Sequence, residues 1–413
     1  MHLLKSKALV AVLAVAASIG VAACGSSSSS SSKTTSATST PASTSTSAST
    51  ATPSISATSF TNNFSAMAAL KALAAGGKGK VAAILPDTTS STRYVEFDEP
   101  DLKKAMAAAG LPASDIIVQN GLGSDSTFLT DAQSDITNGA TVLLIDPEDS
   151  GTGTQVENYA KAHGVAVIDY DRLTLGGSRT YYVSFNNVQV GKLIGQGFVS
   201  CVKAWHVAKP NVVVMRGAPT DNNATLFAQG YNGVLAAYFK SGAYKDVVNP
   251  AGTWDPPTAL TEFEQAYTAH PNINSALIPN DENGSPIINY LKTRGVKANT
   301  FPTTGQDATL TGLQAVLSGY QCGTAYKPIY LEAQAAVALA MYLRAGKTPP
   351  AGLVNGTTQD TQEHKAVASV LLTPEWVTPT NMVDTIVKDS FVPTSQLCSG
   401  TYAADCKKVG ISS

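Results

Sequence analysis

The stretch that decides the fold runs from Thr141 to Arg172. Thr141-Val142-Leu143-Leu144-Ile145 is an unbroken apolar run, residues 154–163 carry helical spacing, and Val165-Ala166-Val167-Ile168-Asp169-Tyr170 is a second run that ends on Asp171-Arg172. A strand with one wet face alternates apolar and polar residues, whereas a strand covered on both faces reads as a continuous run. Strand, helix and strand in about 30 residues make the parallel crossover unit. The same rhythm extends outward on both sides. Upstream, residues 80–85 are followed by a helical pattern at 101–109, and residues 116–119 by one at 126–138; residues 180–185 close this first set. Downstream, residues 211–215 precede a helix at 224–239, and residues 246–248 precede one at 258–269. Residues 275–278, 301–304 and 323–326 follow, with a long helix at 329–345. Gly151-Thr152-Gly153 lacks the third glycine of a dinucleotide fingerprint and reads as a turn. With 413 residues, 43% of them hydrophobic, the chain exceeds what one core usually supports. The expectation is α/β architecture in two doubly wound, Rossmann-like lobes.

Parallel sheets bind ligands in the crevice outside the carboxyl ends of their strands. The exits here carry Arg93-Tyr94, Asp171-Arg172, Asp221-Asn222-Asn223, Trp254-Asp255, Asn280-Asp281, Gln306-Asp307 and Lys327. Carboxylates, amides and guanidinium forks can each engage two neighbouring hydroxyls, and an aromatic face packs on the C–H surface of a sugar ring. One such residue at a loop tip is an ordinary turn or cap. Their recurrence at strand after strand points to a polar, uncharged, polyhydroxylated ligand.

Other classes of function find little support. There are 28 Lys plus Arg against 30 Asp plus Glu, and only 14% of positions are charged, which disfavours a nucleic-acid partner. No CxxC, HExxH, GxSxG or P-loop occurs, so metal, cofactor and nucleophile chemistry lack their usual signatures. His163, His206, His270 and His364 fall in surface helices or turns. Asp171 and Asp307 could in principle form a glycosidase pair, but Arg172 and Lys327 beside them keep both ionised and remove the acid. The reading is a binding protein and not an enzyme, with no cofactor.

At the amino end, Lys5 and Lys7 precede an apolar run that closes on Val21-Ala22-Ala23-Cys24-Gly25. Small residues before a cysteine at the end of such a run make a lipobox, so residues 1–23 read as a lipoprotein signal peptide and Cys24 as the lipidated first residue. Residues 24–62 read as a disordered tether of Ser, Thr and Ala, with a mean reach on the order of 30 Å. The folded part would sit at the outer face of a cytoplasmic membrane, attached through lipid alone. Four further cysteines remain. Cys398 and Cys406 close a short loop in the tail and are expected to pair, with Cys201 and Cys322 as the complement; four cysteines allow three pairings, and the second pair could instead be free buried thiols.

Several of these segments carry a family likeness. Ser91-Thr92-Arg93-Tyr94, Ile168-Asp169-Tyr170-Asp171-Arg172-Leu173, Gly217-Ala218-Pro219-Thr220-Asp221-Asn222-Asn223-Ala224, Trp254-Asp255-Pro256, Pro279-Asn280-Asp281, Gly305-Gln306-Asp307-Ala308 and Tyr326-Lys327-Pro328 resemble motifs of type I periplasmic, or solute-binding, proteins of ABC sugar importers. The likeness is nearest the xylose-binding and multiple-monosaccharide-binding branch and covers residues 79 to 390. It implies two lobes joined by a three-stranded hinge near residues 185–187, 326–327 and 372–374. Residues 79–186 plus 328–372 would form the N-terminal lobe, and 187–327 plus 373–413 the C-terminal lobe with its disulfide tail. Carried over, Arg93, Asp171 and Arg172 would hold the sugar from the first lobe, with Tyr94 stacking. Asn222 or Asn223, Asn280, Asp307 and Lys327 would serve from the second, with Trp254 on the other sugar face. The branch commonly has Arg-Trp where this chain has Arg93-Tyr94 followed by Glu96, Asp98 and Glu99, which leaves xylose, glucose and galactose all open. The implied role is a monomeric receptor handing a monosaccharide to an ABC permease and ATPase; the alternative is a sensory receptor that signals to a membrane kinase or chemoreceptor.

Overall fold

The computed structural model describes residues 54–412; the signal-peptide, Cys24 and tether readings up to residue 53 lie outside the described residues. In chain order the strands are β1 (Lys80–Leu85), β2 (Ile116–Asn120), β3 (Ala140–Ile145), β4 (Ala166–Tyr170), β5 (Tyr181–Phe185), β6 (Asn211–Val214), β7 (Lys245–Val248), β8 (Ser275–Leu277), β9 (Gly305–Gln306), β10 (Thr324–Tyr326), β11 (Gly356–Asp360), β12 (Lys365–Leu372) and β13 (Glu375–Val377). The helices between them are α1 (Lys71–Gly76), α2 (Glu99–Ala108), α3 (Asp125–Thr137), α4 (Ser150–Ala162), α5 (Asn187–Ala204), α6 (Asn222–Lys240), α7 (Pro256–Ala269), α8 (Asp281–Thr293), α9 (Leu310–Leu317) and α10 (Ile329–Arg344).

The first lobe is built on one sheet in the order β11-β12-β5-β4-β3-β1-β2. Every pairing from β12 to β2 is parallel, and only the polar edge strand β11 runs antiparallel. The continuous apolar runs at β1 and β3 are buried, as strands covered by helices on both faces must be. The second lobe holds two short ladders, β7-β6-β8 and β13-β10-β9. The strand expected at 301–304 is absent, and the ladder forms instead at Gly305 and Gln306. Pro302 has no N–H to give to a ladder. The join to β8 is made by Ala276 N–H donating to the Pro302 carbonyl (2.9 Å) and Ile278 N–H donating to Thr304 Oγ1 (2.8 Å).

Three segments cross between the lobes: β5 into α5, β10 into α10, and β12 into β13. Asn186 N–H donates to the Leu372 carbonyl at 2.9 Å, tying the first and third crossings together. Helix α10 follows the second lobe's last parallel strand yet packs on β3, β4 and β5 of the first. Its residues from Ala333 to Tyr342 are all buried.

Helix α5 is absent from the sequence reading. It packs on α6, and Gly191 is the point of closest approach: a Cβ there would collide with the Phe227 carbonyl. The Gly151-Thr152-Gly153 turn is in fact the first turn of α4, started by the Asp149 carboxylate accepting from Gly151 N and Thr152 N. The tether was expected to reach residue 62, but Ile55 and Phe60 are already buried. Ala57 N–H donates to the Gly352 carbonyl (3.1 Å), and Asn62 Nδ2 donates to the Asp389 carbonyl (3.1 Å). Ile55, Phe60 and Phe64 give this stretch the apolar anchors that the Ser/Thr-rich composition around them obscures. Cys201 is bonded to Cys322 and Cys398 to Cys406, with Cα–Cα distances of 5.6 and 5.7 Å.

Candidate functional site

Because β1 and β4 run parallel in one sheet, the loops that follow them open on the same edge, facing the loops that follow β7, β8, β9 and β10. Between them lies a cavity with about 310 Å³ of empty space, part of it open to solvent. Arg93, Tyr94, Asp171, Arg172, Asn223, Trp254, Asn280, Asp307 and Lys327 all line it. Asn222 does not: it borders a neighbouring, smaller space with Glu148 and Thr174. As the first residue of α6 it stands about 100° around the helix from Asn223. The cavity also takes in Ser90, Ser91, Asp221, Phe227 and Gln306, which the sequence reading left out of the site. Ser91, Asp221 and Gln306 stood inside quoted motifs, and Phe227 is four residues beyond Asn223 on the same helical face.

Three cations and three carboxylates wall this space, and the structure shows what each spends itself on. Arg93 is 1% exposed. Its Nε and Nη2 donate to the two oxygens of Asp98 (2.8 and 2.7 Å), Nη2 also donates to Glu332 Oε2 (2.8 Å), and Nη1 donates to Asp171 Oδ1 (2.9 Å). Of the five N–H donors of a guanidinium, one remains, so Arg93 is first a post that holds Asp171. Tyr94 OH donates to Asp171 Oδ2 (3.2 Å) and accepts from Arg172 Nη2 (3.1 Å). Burial alone would raise the Asp171 pKa, but Arg93, Lys327 and Arg172 outweigh it and hold the carboxyl at about 2. Asp171 is therefore an anionic acceptor at neutral pH and has no proton to give a leaving group. Arg172 lies 3.5 Å from Asp146 and 3.7 Å from Asp221. Burial pushes both of those carboxyls up, partly offset by Arg172.

Asp221 caps α6 by accepting from Asn223 N (2.8 Å) and also accepts from Trp254 Nε1 (2.9 Å), which fixes the indole. Phe227 meets Trp254 edge to face at 6.4 Å. Gly217 makes room for the ring, since a Cβ there would run into Trp254 Cζ2. Lys327 pairs with Asp307 at 2.9 Å, both side chains 4% exposed. Asp171 and Asp307 have positive φ, 58° and 86°, a region that non-glycine residues seldom occupy and that gathers at functional sites. Of the four histidines among the described residues, His163, His206 and His364 are exposed and His270 is half-buried, none of them at the cavity.

The two lobes meet around the cavity. Ser91 Oγ donates to Asp307 Oδ2 (3.1 Å) and Asn280 Nδ2 donates to the Ser90 carbonyl (3.1 Å). Asn223 Nδ2 donates to the Asp171 carbonyl (2.8 Å), while Asn223 Oδ1 accepts from Tyr182 OH (3.1 Å) and Asn187 Nδ2 (2.8 Å). This is the closed form of a two-lobed clamp.

Two α/β lobes on a three-strand hinge, closed over a polar cavity rimmed with aromatic rings, define the class of solute-binding clamps. Residues 81–348 match the periplasmic binding protein domain, and the chain belongs to that family. It is 35% identical over 286 residues to the D-xylose-binding periplasmic protein of Escherichia coli, covering 68% of this chain and 83% of that one. It is 31% identical over 338 residues to a multiple sugar-binding periplasmic receptor of Rhizobium radiobacter, covering 78% and 93%. Among solved structures, a carbohydrate transporter solute-binding protein from Chloroflexus aurantiacus in complex with D-glucose superimposes with a TM-score of 0.68 at 25% identity, over 76% of this chain and 97% of that one.

Proposed function

We propose that this chain is the extracytoplasmic receptor of an ABC importer, held to the outer face of the cytoplasmic membrane by lipid on Cys24, and that it captures a neutral monosaccharide of the xylose, glucose or galactose type. Its lobes are residues 79–186 with 328–372, and 187–327 with 373–413. The observation that carries this reading is the makeup of the cavity wall. Three cations and three carboxylates line it together with the aromatic residues Tyr94, Phe227 and Trp254, and polar groups come from both lobes. A charged ligand would upset this balance, whereas a polyol can accept from Lys327 and Arg172 and donate to Asp171 and Asp307. The relatives named for D-xylose and for multiple sugars support the same ligand class.

The clamp works because a sugar that touches both lobes stabilises the closed form over the open one, and a permease can then recognise closure as a sign of occupancy. Breaking one hydrogen bond that involves a charged group should cost about 1.5 to 3 kcal/mol, roughly 10- to 150-fold in affinity. A thermal-shift panel of xylose, glucose, galactose, arabinose, ribose and fructose, with amino acids and nucleosides as contrast, tests the ligand class. Stabilisation by an amino acid or nucleoside and by no sugar would overturn it. Detergent partition tests the anchor: wild-type protein should enter the detergent phase and the Cys24→Ser protein should not, while wild type left in the aqueous phase refutes the lipid.

A further inference from the structure

We propose that Gln306 is the residue that reads the stereochemistry of the bound sugar, an assignment that rests on the sugar-receptor reading above. Three amide side chains line the cavity, and they differ in what they have left to offer. Asn223 bridges the lobes through both its oxygen and its nitrogen. Asn280 caps α8 by accepting from Asn283 N (3.1 Å) and donates to the Ser90 carbonyl. Gln306 is 3% exposed, and its carboxamide makes no hydrogen bond to the described residues; its Oε1 is buried without a partner. A buried amide left unpaired costs free energy, so its presence in the wall of a ligand cavity marks a partner supplied by the ligand.

The backbone beneath it is held firmly. Gly305 and Gln306 pair with Thr324 and Ala325 of β10. A Cβ at Gly305 would collide with the Asp281 carboxylate, which is itself fixed by Gln321 Nε2 (2.7 Å) and Thr309 N (3.0 Å). The next residue turns sharply, with φ 86° at Asp307. A rigid amide both donates and accepts, so it can engage two adjacent hydroxyls only when their orientation matches. Arg172 and Lys327 offer donors alone, and the carboxylates offer acceptors alone, so both tolerate either epimer more readily. Removing a hydrogen-bond partner from a buried group should weaken binding about 5- to 150-fold.

The test is calorimetric titration of wild type, Gln306→Met and Gln306→Glu with D-xylose, D-glucose, D-galactose and L-arabinose, alongside melting of each sugar-free protein. Methionine keeps the volume and removes both polar atoms. The expected result is affinity for the best sugar lowered at least fivefold, a narrower spread of affinities among the epimers, and a sugar-free melting temperature unchanged or raised. Glutamate keeps the acceptor next to Asp307 but loses the donor, and should weaken binding more at pH 8 than at pH 5. Equal affinities and an unchanged spread in both variants would overturn the assignment while leaving the receptor reading intact. A sugar-free melting temperature that falls in both variants would also overturn it, because the side chain would then serve the fold. Wild type that binds none of the four sugars overturns the receptor reading and this assignment together.

Discussion

Asn223 is the side chain through which closure can be weakened most cleanly. It sits in the first turn of α6 in the second lobe, and its amide makes three hydrogen bonds. Two of them reach the first lobe, to the Asp171 carbonyl and from Tyr182 OH, and one comes from Asn187. Asn223→Ala removes all three without stranding the partners. The Asp171 carbonyl still accepts from Tyr182 OH (2.8 Å), and Asn187 Nδ2 still donates to Tyr182 OH (3.0 Å) and Ser184 Oγ (3.3 Å). The Asn187 bond is internal to the second lobe and survives opening, so closure loses two neutral hydrogen bonds at about 1 kcal/mol each and the closed form is destabilised by roughly 2 kcal/mol. Each lobe keeps its own core, so global stability should change little. If the open form dominates without sugar, that cost falls wholly on binding and lowers affinity about 30-fold. Calorimetric titration gives the affinity, and small-angle scattering at a sugar concentration that just closes the wild type should show the variant more expanded. An affinity within threefold of wild type, with unchanged scattering, would refute the latch and the view that closure is held by side chains rather than by the hinge.

The two disulfides close loops with sequence separations of 121 and 8 residues, which chain entropy values at about 5 and about 2.5 kcal/mol. Replacing Cys201 and Cys322 by Ala should thus lower the denaturant midpoint clearly more than replacing Cys398 and Cys406, and equal losses would argue against it. Stability should also fall as pH rises from about 4 to about 7. Burial raises the carboxyls of Asp101 to about 7, Asp135 to about 6 and Glu148 to about 7, from 3.8, 3.8 and 4.5. The folded state thus holds protons that the unfolded state has released. A melting temperature higher at pH 8 than at pH 5 would contradict this, and Asp101→Asn with Glu148→Gln should flatten the dependence. Finally, Gly217→Ala should push the Trp254 ring off its seat and weaken sugar binding while leaving both disulfides formed, which mass mapping and titration can check together.

Much of the first lobe was legible because its strands are covered on both faces, and continuous runs such as Thr141 to Ile145 admit few other readings. The exits were legible for a related reason: a charged pair such as Asp171-Arg172 directly after an apolar strand has no place in a core. What escaped was written in residues that mean two things. Helix α5 carries Gly191, Gly195 and Gly197, which weaken a helical pattern, yet here they admit Phe227, Tyr231 and Trp376 against the helix. Strand β11 reads Gly-Thr-Thr-Gln-Asp, polar because it lies on the sheet edge. The cavity membership of Asn223 was legible, but not that its amide is occupied by the opposite lobe, because hydrogen bonds between distant segments leave no local trace. The same holds for Arg93, whose partners Asp171 and Glu332 lie 78 and 239 residues away.

One sugar should be gripped from both lobes at once, and titration of the best-binding sugar against wild type, Arg172→Ala and Asp307→Ala decides whether it is. Arg172 belongs to the first lobe and Asp307 to the second, and both line the cavity. Each substitution should weaken binding by roughly 10- to 150-fold. Sugar binding that survives both substitutions unchanged would contradict it and place the ligand elsewhere.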